Sequence, residues 1–244
     1  MQTREQTQAI KRVLKKPVRA LPAEFVQSSD PVTTLVQSFL LWECPADKAL
    51  LAYQRIQSSV VDFNELRVCL PHETLEILGP RFPRAEERAQ RLRASLNDLY
   101  RREHAVNLDR VAALGKREAK QYVDSLEGIV SYVANRLSLL SFGVHGVPAD
   151  ERLRDALASA GIVEPTAHPD EVSNWLGRTI KAEKGVDAHH RLQAWVEKVS
   201  RRGKSRSVRT GSAKTTKRGA GARSRQGSTR KTKRSAAPTA GKSS

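Results

Sequence analysis

The sequence predicts an all-α protein with a cationic C-terminal tail. From residue 1 to about residue 199, apolar residues recur at helical spacing, and no sustained alternation of period two appears. Proline and glycine punctuate this pattern at short intervals, as between helices. After Ser200 the composition changes to small, polar and basic residues. These three observations favour a compact orthogonal helical bundle followed by a segment without a core.

The predicted helices are short and separated by clear breaks. Asp30-Pro31, Gly79 to Pro83, Gly143 to Pro148 and His168-Pro169 are the strongest of these breaks. No heptad pattern is sustained, which argues against a coiled coil. The spacing predicts helices over Thr3 to Lys15, Pro31 to Trp42, Ala46 to Ser58, Phe63 to Cys69, His72 to Leu78, Arg84 to Arg102, Leu108 to Leu114, Lys116 to Leu126, Ile129 to Phe142, Asp150 to Ala160, Pro169 to Lys181 and Ala188 to Val199.

The charge is concentrated in the tail. The chain has 43 Lys and Arg against 26 Asp and Glu, a net charge of +17. Residues 200–244 contain 15 of these basic residues and no acidic one. Such a segment buries too little apolar surface to order itself, so we expect disorder in isolation and binding to a polyanion. A solubilising tail is the alternative. The residues expected to contact DNA here are Arg201, Arg202, Lys204, Arg206, Lys217, Arg218, Arg230, Lys231, Lys233 and Arg234.

The cysteine count and the hydropathy limit the classes of protein to which the chain can belong. Cys44 and Cys69 are the two cysteines, too few for a four-thiolate site in one chain. The count leaves a mixed Cys/His zinc site open, but we expect neither a metal nor another cofactor. The start of the chain lacks an apolar signal-peptide core, and no apolar stretch reaches the roughly 20 residues that span a bilayer. We expect a monomer away from membranes. We expect the protein in the cytoplasm, associated with the nucleoid, if it is bacterial, and in the nucleus if it is eukaryotic.

One segment carries a resemblance to a known family. Residues 125–153 read SLEGIVSYVANRLSLLSFGVHGVPADERL. They resemble the helix-hairpin-helix DNA glycosylases of the endonuclease III superfamily, whose pattern is L-P-G-V-G-x-K-T-A, an apolar helix ending near F-G, and then V-D-T-H. Eight residues match without a gap, namely Leu126, Gly128, Ile129, Ala134, Asn135, Phe142, Gly143 and Asp150.

Three weaker stretches agree in order, and together they imply a domain plan. Residues 35–50 are similar to an early helix and turn of the family, with Asp47 in the position of the family's aspartate. Residues 79–92 are similar to the segment that precedes a long helix, and residues 187–198 are similar to the family's H-H-x-L helix. The resemblance implies an N-terminal helix (1–29) that packs on the second lobe. It further implies a six-helix lobe with the hairpin (30–136), a second lobe with Asp150 (137–199) and a DNA-binding tail (200–244).

The hairpin departs from the family at two positions. In the family, a glycine turn lets backbone N–H groups approach DNA phosphates. The resemblance assigns this contact to Gly128, Ile129, Val130 and Ser131, but the family's second glycine is Val130 and its proline is Glu127. A β-branched residue disfavours positive φ and a carboxylate repels phosphate, so we expect a weakened grip and a larger share of affinity from the tail.

The resemblance also implies what chemistry is retained. Bifunctional members attack the sugar with a lysine and form a Schiff base, but Tyr132 occupies that position, as in the thymine-mismatch members, which only hydrolyse the base. The essential carboxylate of the superfamily falls on Asp150. Asp150 is equally well placed to cap the helix that follows it, and the two roles are compatible.

Two further features of the family are altered. The family's glutamine, which fills the gap left by the extruded base, corresponds to Cys44, close to Trp42. We assign both residues to the DNA-binding set. Trp42 either fills the gap in place of the glutamine or, as we favour, belongs to the core. The iron–sulfur loop that follows the H-H helix is missing, and His189 and His190 are expected to be packing or surface residues.

The sequence therefore leaves two functions open. The first is a DNA-binding base-excision-repair protein that acts on double-stranded DNA as a monofunctional N-glycosylase, without lysine-dependent lyase activity, on a damaged or mismatched base. The second is a non-catalytic DNA-binding protein on a degenerate glycosylase scaffold. Asp150 favours the first, whereas Glu127, Val130 and Cys44 favour the second.

Overall fold

The computed structural model describes residues 3–26, 30–79 and 81–215, with side chains as far as Arg201. All regular structure in these ranges is helical, which confirms the predicted fold class. The helices are α1 (Thr3–Leu14), α2 (Pro31–Leu41), α3 (Ala46–Ser59), α4 (Phe63–Val68), α5 (Pro71–Leu78), α6 (Ala85–Glu103), α7 (Asp109–Ala112), α8 (Lys116–Asp124), α9 (Ser131–Ser141), α10 (Glu151–Ser159), α11 (Pro169–Thr179) and α12 (Gly185–Thr215). Two short 3₁₀ helices, Ala23–Phe25 and Ala182–Lys184, were not predicted from the sequence.

The last helix is longer than predicted. The pattern of apolar residues ends at Val199, but the backbone of α12 is helical to Thr215. Lysine and arginine are good helix formers, and no proline interrupts the segment, so a helix that is already nucleated can continue into the basic sequence. The contacts divide the chain into a compact unit of residues Met1–Lys204 and a second unit of Ser205–Ser244. Disorder was expected over residues 200–244; the backbone of residues 200–215 belongs to α12, and residues 216–244 lie outside the described part of the chain.

Helix α2 lies at the centre of the first unit. Asp30 caps its N-terminus, accepting hydrogen bonds from the amides of Val32 (3.1 Å) and Thr33 (2.8 Å), and Pro31 occupies the first turn, where its missing N–H costs nothing. All but two residues of α2 are buried. A helix that is apolar on every side belongs in the interior, and α2 packs against α3, α6 and α9.

Two apolar cores lie within residues 1–204. The larger core surrounds α2 and draws on α3 to α9. The smaller core joins Ile10 and Val13 of α1 to residues of α10, α11 and α12, among them Leu157 and Trp195. The boundaries expected between lobes inside this unit stay a prediction.

The hairpin between α8 and α9 is fixed by helix α6. Ser95 Oγ donates to the carbonyl of Glu127 (2.7 Å), and the Glu127 amide donates to Asp98 (3.0 Å). The Glu127 carboxylate pairs with Arg101, so its charge is partly offset. Val130 has φ −118° and caps α9 in an extended conformation, so the positive φ that we expected it to resist is not required.

Gly128 makes the turn of the hairpin. Its φ is +75°, and a Cβ built on it would lie 2.7 Å from the carbonyl oxygen of Arg91 on α6. The glycine therefore supplies both a left-handed backbone and a close approach between the hairpin and α6.

We expect Gly128→Ala to destabilise the protein by more than about 1 kcal/mol, because the left-handed strain and the backbone clash add. Gly146→Ala is the control, since Gly146 has no neighbour within 4 Å and no positive φ. Urea unfolding of both variants measures the difference. Equal stability of the two variants would show that the hairpin does not need this close approach.

No helix in the described ranges combines the length and the apolar composition needed to cross a bilayer.

Candidate functional site

The turn between α2 and α3 lies inside the protein. It comprises residues 42–46, and we call it the α2–α3 turn. Glu43 has a left-handed φ of 49°, and the Cys44 side chain is fully buried. Buried backbone polar groups of such a turn need partners within the protein. Charged side chains from α6, α10 and α12 supply these partners.

Asp150 holds one end of this turn. One carboxylate oxygen accepts a hydrogen bond from the Leu153 amide (2.9 Å) and caps α10, and the other accepts from the Glu43 amide (2.9 Å). Asp150 is 4% exposed. Burial raises the pKa of this carboxyl group, although the two amides and the Arg152 guanidinium oppose the increase. The cap expected from the sequence is present, and the same carboxylate also binds a turn more than 100 positions away in the chain.

Tyr132 lies on α9, close enough to Asp150 for the charge of the carboxylate to act on its phenol. Its side chain is 3% exposed, and its hydroxyl donates to Oε1 of Gln193 on α12 at 3.3 Å. Burial raises the pKa of the phenol, and the negative charge of Asp150 adds to this effect. The phenol is therefore neutral at physiological pH, and Tyr132 has no amine with which to form an imine.

Arg88 binds the end of α2, a role that its sequence context does not indicate. The side chain is fully buried, and its guanidinium donates to the carbonyls of Phe39 (2.5 Å), Leu40 (2.9 Å) and Trp42 (2.6 Å). Burial lowers the pKa of Arg88 to about 10. These bonds satisfy carbonyls that the C-terminus of a helix leaves without intrahelical partners.

Trp42 and Cys44 do not present a surface to DNA. Trp42 is 7% exposed and belongs to the larger core, with the guanidinium of Arg84 over its ring at 4.6 Å. The burial of Cys44 raises its thiol pKa to about 11. The Cys44 side chain has no accessible surface in this conformation, so the DNA contact assigned to it requires the turn to move and stays a prediction. The assignment of Trp42 to the core agrees with its position.

Arg152 and Glu197 complete the network, and both were missed from the sequence. Arg152 donates to the Cys44 carbonyl (2.5 Å) and to Oε1 of Glu197 (3.0 Å), which also accepts from the Ala46 amide (3.0 Å). Arg152 is two positions from the predicted carboxylate, and Glu197 is on the H-H helix. Neither position stands out in the sequence, since charged residues at such sites usually face solvent.

The hairpin borders a polar cleft of about 460 Å³. The half-buried Ile129 and the exposed Ser131 belong to its lining, and Val130, also half-buried, caps the adjoining helix. Two carboxylates share the lining of the cleft with one cation: Lys120 pairs with Asp124, and Asp170 is the second carboxylate. The first amides of α9 have no partners within their helix and can bind an anion here, against the opposing charge of these carboxylates.

Of the predicted tail contacts, the structure describes one side chain. Arg201 is exposed and donates to the carboxylate of Asp47 at 2.7 Å. The side chains of Arg202, Lys204 and Arg206 lie outside the described residues, as do Lys217, Arg218, Arg230, Lys231, Lys233 and Arg234.

The residues of this chain do not fit an iron–sulfur cluster. A cluster of the family's type needs four thiolates, whereas the sequence has two cysteines and one of them is fully buried. His189 is 2% exposed, and burial lowers its pKa well below the usual value. It packs beside His190, with the ring centroids 5.6 Å apart.

The raised pKa of Asp150 predicts how stability depends on pH. Between the pKa of the unfolded chain, about 4, and the higher pKa of the folded protein, the folded state binds the proton more tightly. The wild type should therefore lose stability relative to Asp150→Asn as the pH rises through this window, by up to about 1.4 kcal/mol per pH unit. Urea unfolding at several pH values, with the exposed Asp155→Asn as the control, measures this difference. A constant difference would mean that burial does not perturb Asp150.

Comparison with known proteins supports the fold. No family model matches the chain, and no curated protein matches it in sequence. An endonuclease III trapped as a covalent DNA intermediate is similar over 79% of this chain and 85% of its own, with a TM-score of 0.59 and 15% identity. A thermostable thymine-DNA glycosylase matches 80% of this chain and 85% of its own, with a TM-score of 0.56 and 14% identity.

A third structure is the Clostridium acetobutylicum 8-oxoguanine glycosylase/lyase bound to double-stranded DNA. It matches over 82% of this chain and 71% of its own, with a TM-score of 0.58 and 16% identity. These three proteins belong to the helix-hairpin-helix glycosylase superfamily. The chain has the helix-hairpin-helix DNA glycosylase fold that residues 125–153 predict.

Proposed function

We propose that this protein binds DNA in base-excision repair and acts as a monofunctional N-glycosylase on a damaged or mismatched base. One observation carries the proposal: a buried carboxylate, Asp150, begins α10 at the position of the superfamily's essential carboxylate, while Tyr132 replaces the lysine. The described helices and the glycosylase fold are consistent with this role.

In this proposal, Asp150 acts on the sugar. As the C1′–N bond breaks, its electron pair leaves with the base and positive charge develops on the sugar ring. The Asp150 carboxylate stabilises that charge, and burial strengthens the interaction because the surroundings are less polar than water. Water attacks C1′ and Asp150 accepts its proton, for which a raised pKa is favourable. That proton then passes to the departed base, which left with the electron pair of the C1′–N bond, so the carboxylate is restored. The products are a free base and an intact abasic strand.

The burial of Asp150 means that the proposed activity requires a conformational change. Asp150 is 4% exposed and one of its oxygens is bound to the Glu43 amide, so a substrate reaches it only if DNA binding shifts the α2–α3 turn. The hydrogen bond from the Tyr132 hydroxyl to Gln193 is long at 3.3 Å, so it is weaker than the bond between Asp150 and the Glu43 amide.

The second candidate function is non-catalytic DNA binding on this scaffold. One observation favours it: both oxygens of Asp150 already accept backbone amides, which is sufficient for a purely structural cap. In that case the hairpin and the basic tail are the whole of the function.

A base-release assay separates the two functions. Over a panel of damaged and mismatched duplexes, we expect breaks that appear only after alkali, and borohydride should trap no enzyme–DNA adduct, because the Tyr132 phenol forms no imine. Asp150→Asn should lower the rate by at least about 100-fold, while DNA affinity stays equal or rises. Asp155→Asn should be active. If no lesion is processed and Asp150→Asn changes stability alone, the non-catalytic function is correct.

Salt dependence tests the tail. Residues 216–244 contain nine lysines and arginines, and each one that neutralises a phosphate adds about 0.9 to the slope of log K against log salt concentration. Truncation after Thr215 should therefore weaken duplex binding and flatten that slope. Fluorescence anisotropy at several salt concentrations measures both values. An unchanged slope would place the affinity in the helical part of the chain.

A further inference from the structure

A cleft of about 630 Å³ opens beside the α2–α3 turn. It lies between residues 19–22, the start of α3 and the α12 segment that contains Ala194 and Arg201. Leu21, Pro22 and Leu50 contribute apolar walls, and Glu197 contributes a carboxylate. The volume lies in the range of small-molecule sites, which combine apolar walls with a small number of polar groups.

Glu197 has one carboxylate oxygen free for an occupant. Its side chain is largely buried, with the residue 9% exposed. Oε1 accepts the Ala46 amide and both terminal nitrogens of Arg152, each at 3.0 Å. Within residues 3–26, 30–79 and 81–201, Oε2 has no hydrogen-bond donor. A carboxylate oxygen that lines a cavity and has no donor from the described protein is available to accept a hydrogen bond from a ligand N–H.

Cations surround the cleft. Arg19, Lys198 and Arg201 are among its lining residues, and Lys198 reaches across it to donate to the Pro17 carbonyl at 3.0 Å. Asp47 is paired with Arg201, so it offsets only part of this charge. An occupant with a flat apolar face, an N–H edge and an attached phosphate would satisfy the walls, Glu197 and the cations together.

The cleft lies close to Asp150 along the backbone. Asp150 binds the amide of Glu43, and Glu197 binds the amide of Ala46, three residues later in the same turn. Three residues span at most about 11 Å, so the two carboxylates hold neighbouring points of one turn. A base held by Glu197 would therefore lie next to the turn whose other end Asp150 binds.

We propose that this cleft receives the extruded base and that Glu197 selects bases with an N–H donor edge, as in guanine, over bases whose edge is mainly carbonyl, as in thymine. The inference rests on the proposed function and adds its substrate class. Guanine offers N1–H and an amino group on adjacent atoms to the acceptor. Thymine places a carbonyl on each side of its N3–H, and both would be repelled by the carboxylate.

Free nucleosides test the cleft without DNA or catalysis. With the full chain, ligand-observed NMR titration should show guanosine binding about tenfold more tightly than thymidine, since a difference of about 1.4 kcal/mol is tenfold in affinity. In Glu197→Gln, the amide oxygen can retain the bonds to Ala46 and Arg152 while an NH₂ group replaces Oε2. Guanosine should then bind about tenfold more weakly, and thymidine should bind more tightly.

Two further variants guard against indirect effects. Glu183→Gln removes an exposed carboxylate on the short helix before α12 and should leave both affinities unchanged. Leu50→Trp fills the cleft from its apolar wall without altering the Glu197 network, and it should abolish guanosine binding while the melting temperature stays near that of the wild type.

The outcomes separate this inference from the proposed function. A guanosine preference that Glu197→Gln reverses supports the cleft even if no DNA substrate releases a base, in which case only the glycosylase activity is rejected. Base release combined with unchanged nucleoside affinities in Glu197→Gln overturns the inference alone. It is also overturned if wild-type protein binds neither nucleoside, or if Leu50→Trp binds guanosine as the wild type does.

Discussion

The structure depends on satisfying the backbone of a buried turn. The α2–α3 turn follows a helix in which all but two residues are buried, so the buried amides and carbonyls of the turn need partners within the protein. Asp150, Arg152, Glu197 and Arg88 bind these groups, and they come from α10, α12 and α6. A single turn thereby specifies the positions of three helices that are distant in sequence, because each charged side chain would be costly to bury without these partners.

This constraint places structural and chemical roles on the same residues. A carboxylate that caps a helix and binds a turn is already desolvated and oriented, and those are the properties that electrostatic stabilisation of a cationic sugar requires. Glu197 combines roles in the same way, with one oxygen committed to the turn and the other available in a cleft. Substitutions at either position therefore affect stability as well as binding, and matched exposed carboxylates are needed to tell the two effects apart.

The hairpin shows how a departure from a family pattern is accommodated. Its first glycine is retained where a Cβ would clash with α6, whereas the second position is extended and accepts valine without strain. Arg101 offsets the charge of Glu127, and Ser95 and Asp98 bind the backbone of the same residue. The hairpin is thus supported by α6, and the start of α9 borders a cleft that also contains carboxylates.

The sequence alone determined the helical class and the order of the twelve helices in the described ranges, because helix periodicity, caps and breaks are local properties. It also indicated Asp150 as a cap. Only the tertiary structure decided that Cys44 is inaccessible, that Arg88 binds three carbonyls, and that Arg152 and Glu197 meet at one turn. The reason is physical: a charged residue in a helical sequence predicts a solvent-facing position, and its burial depends on backbone groups more than 40 residues away.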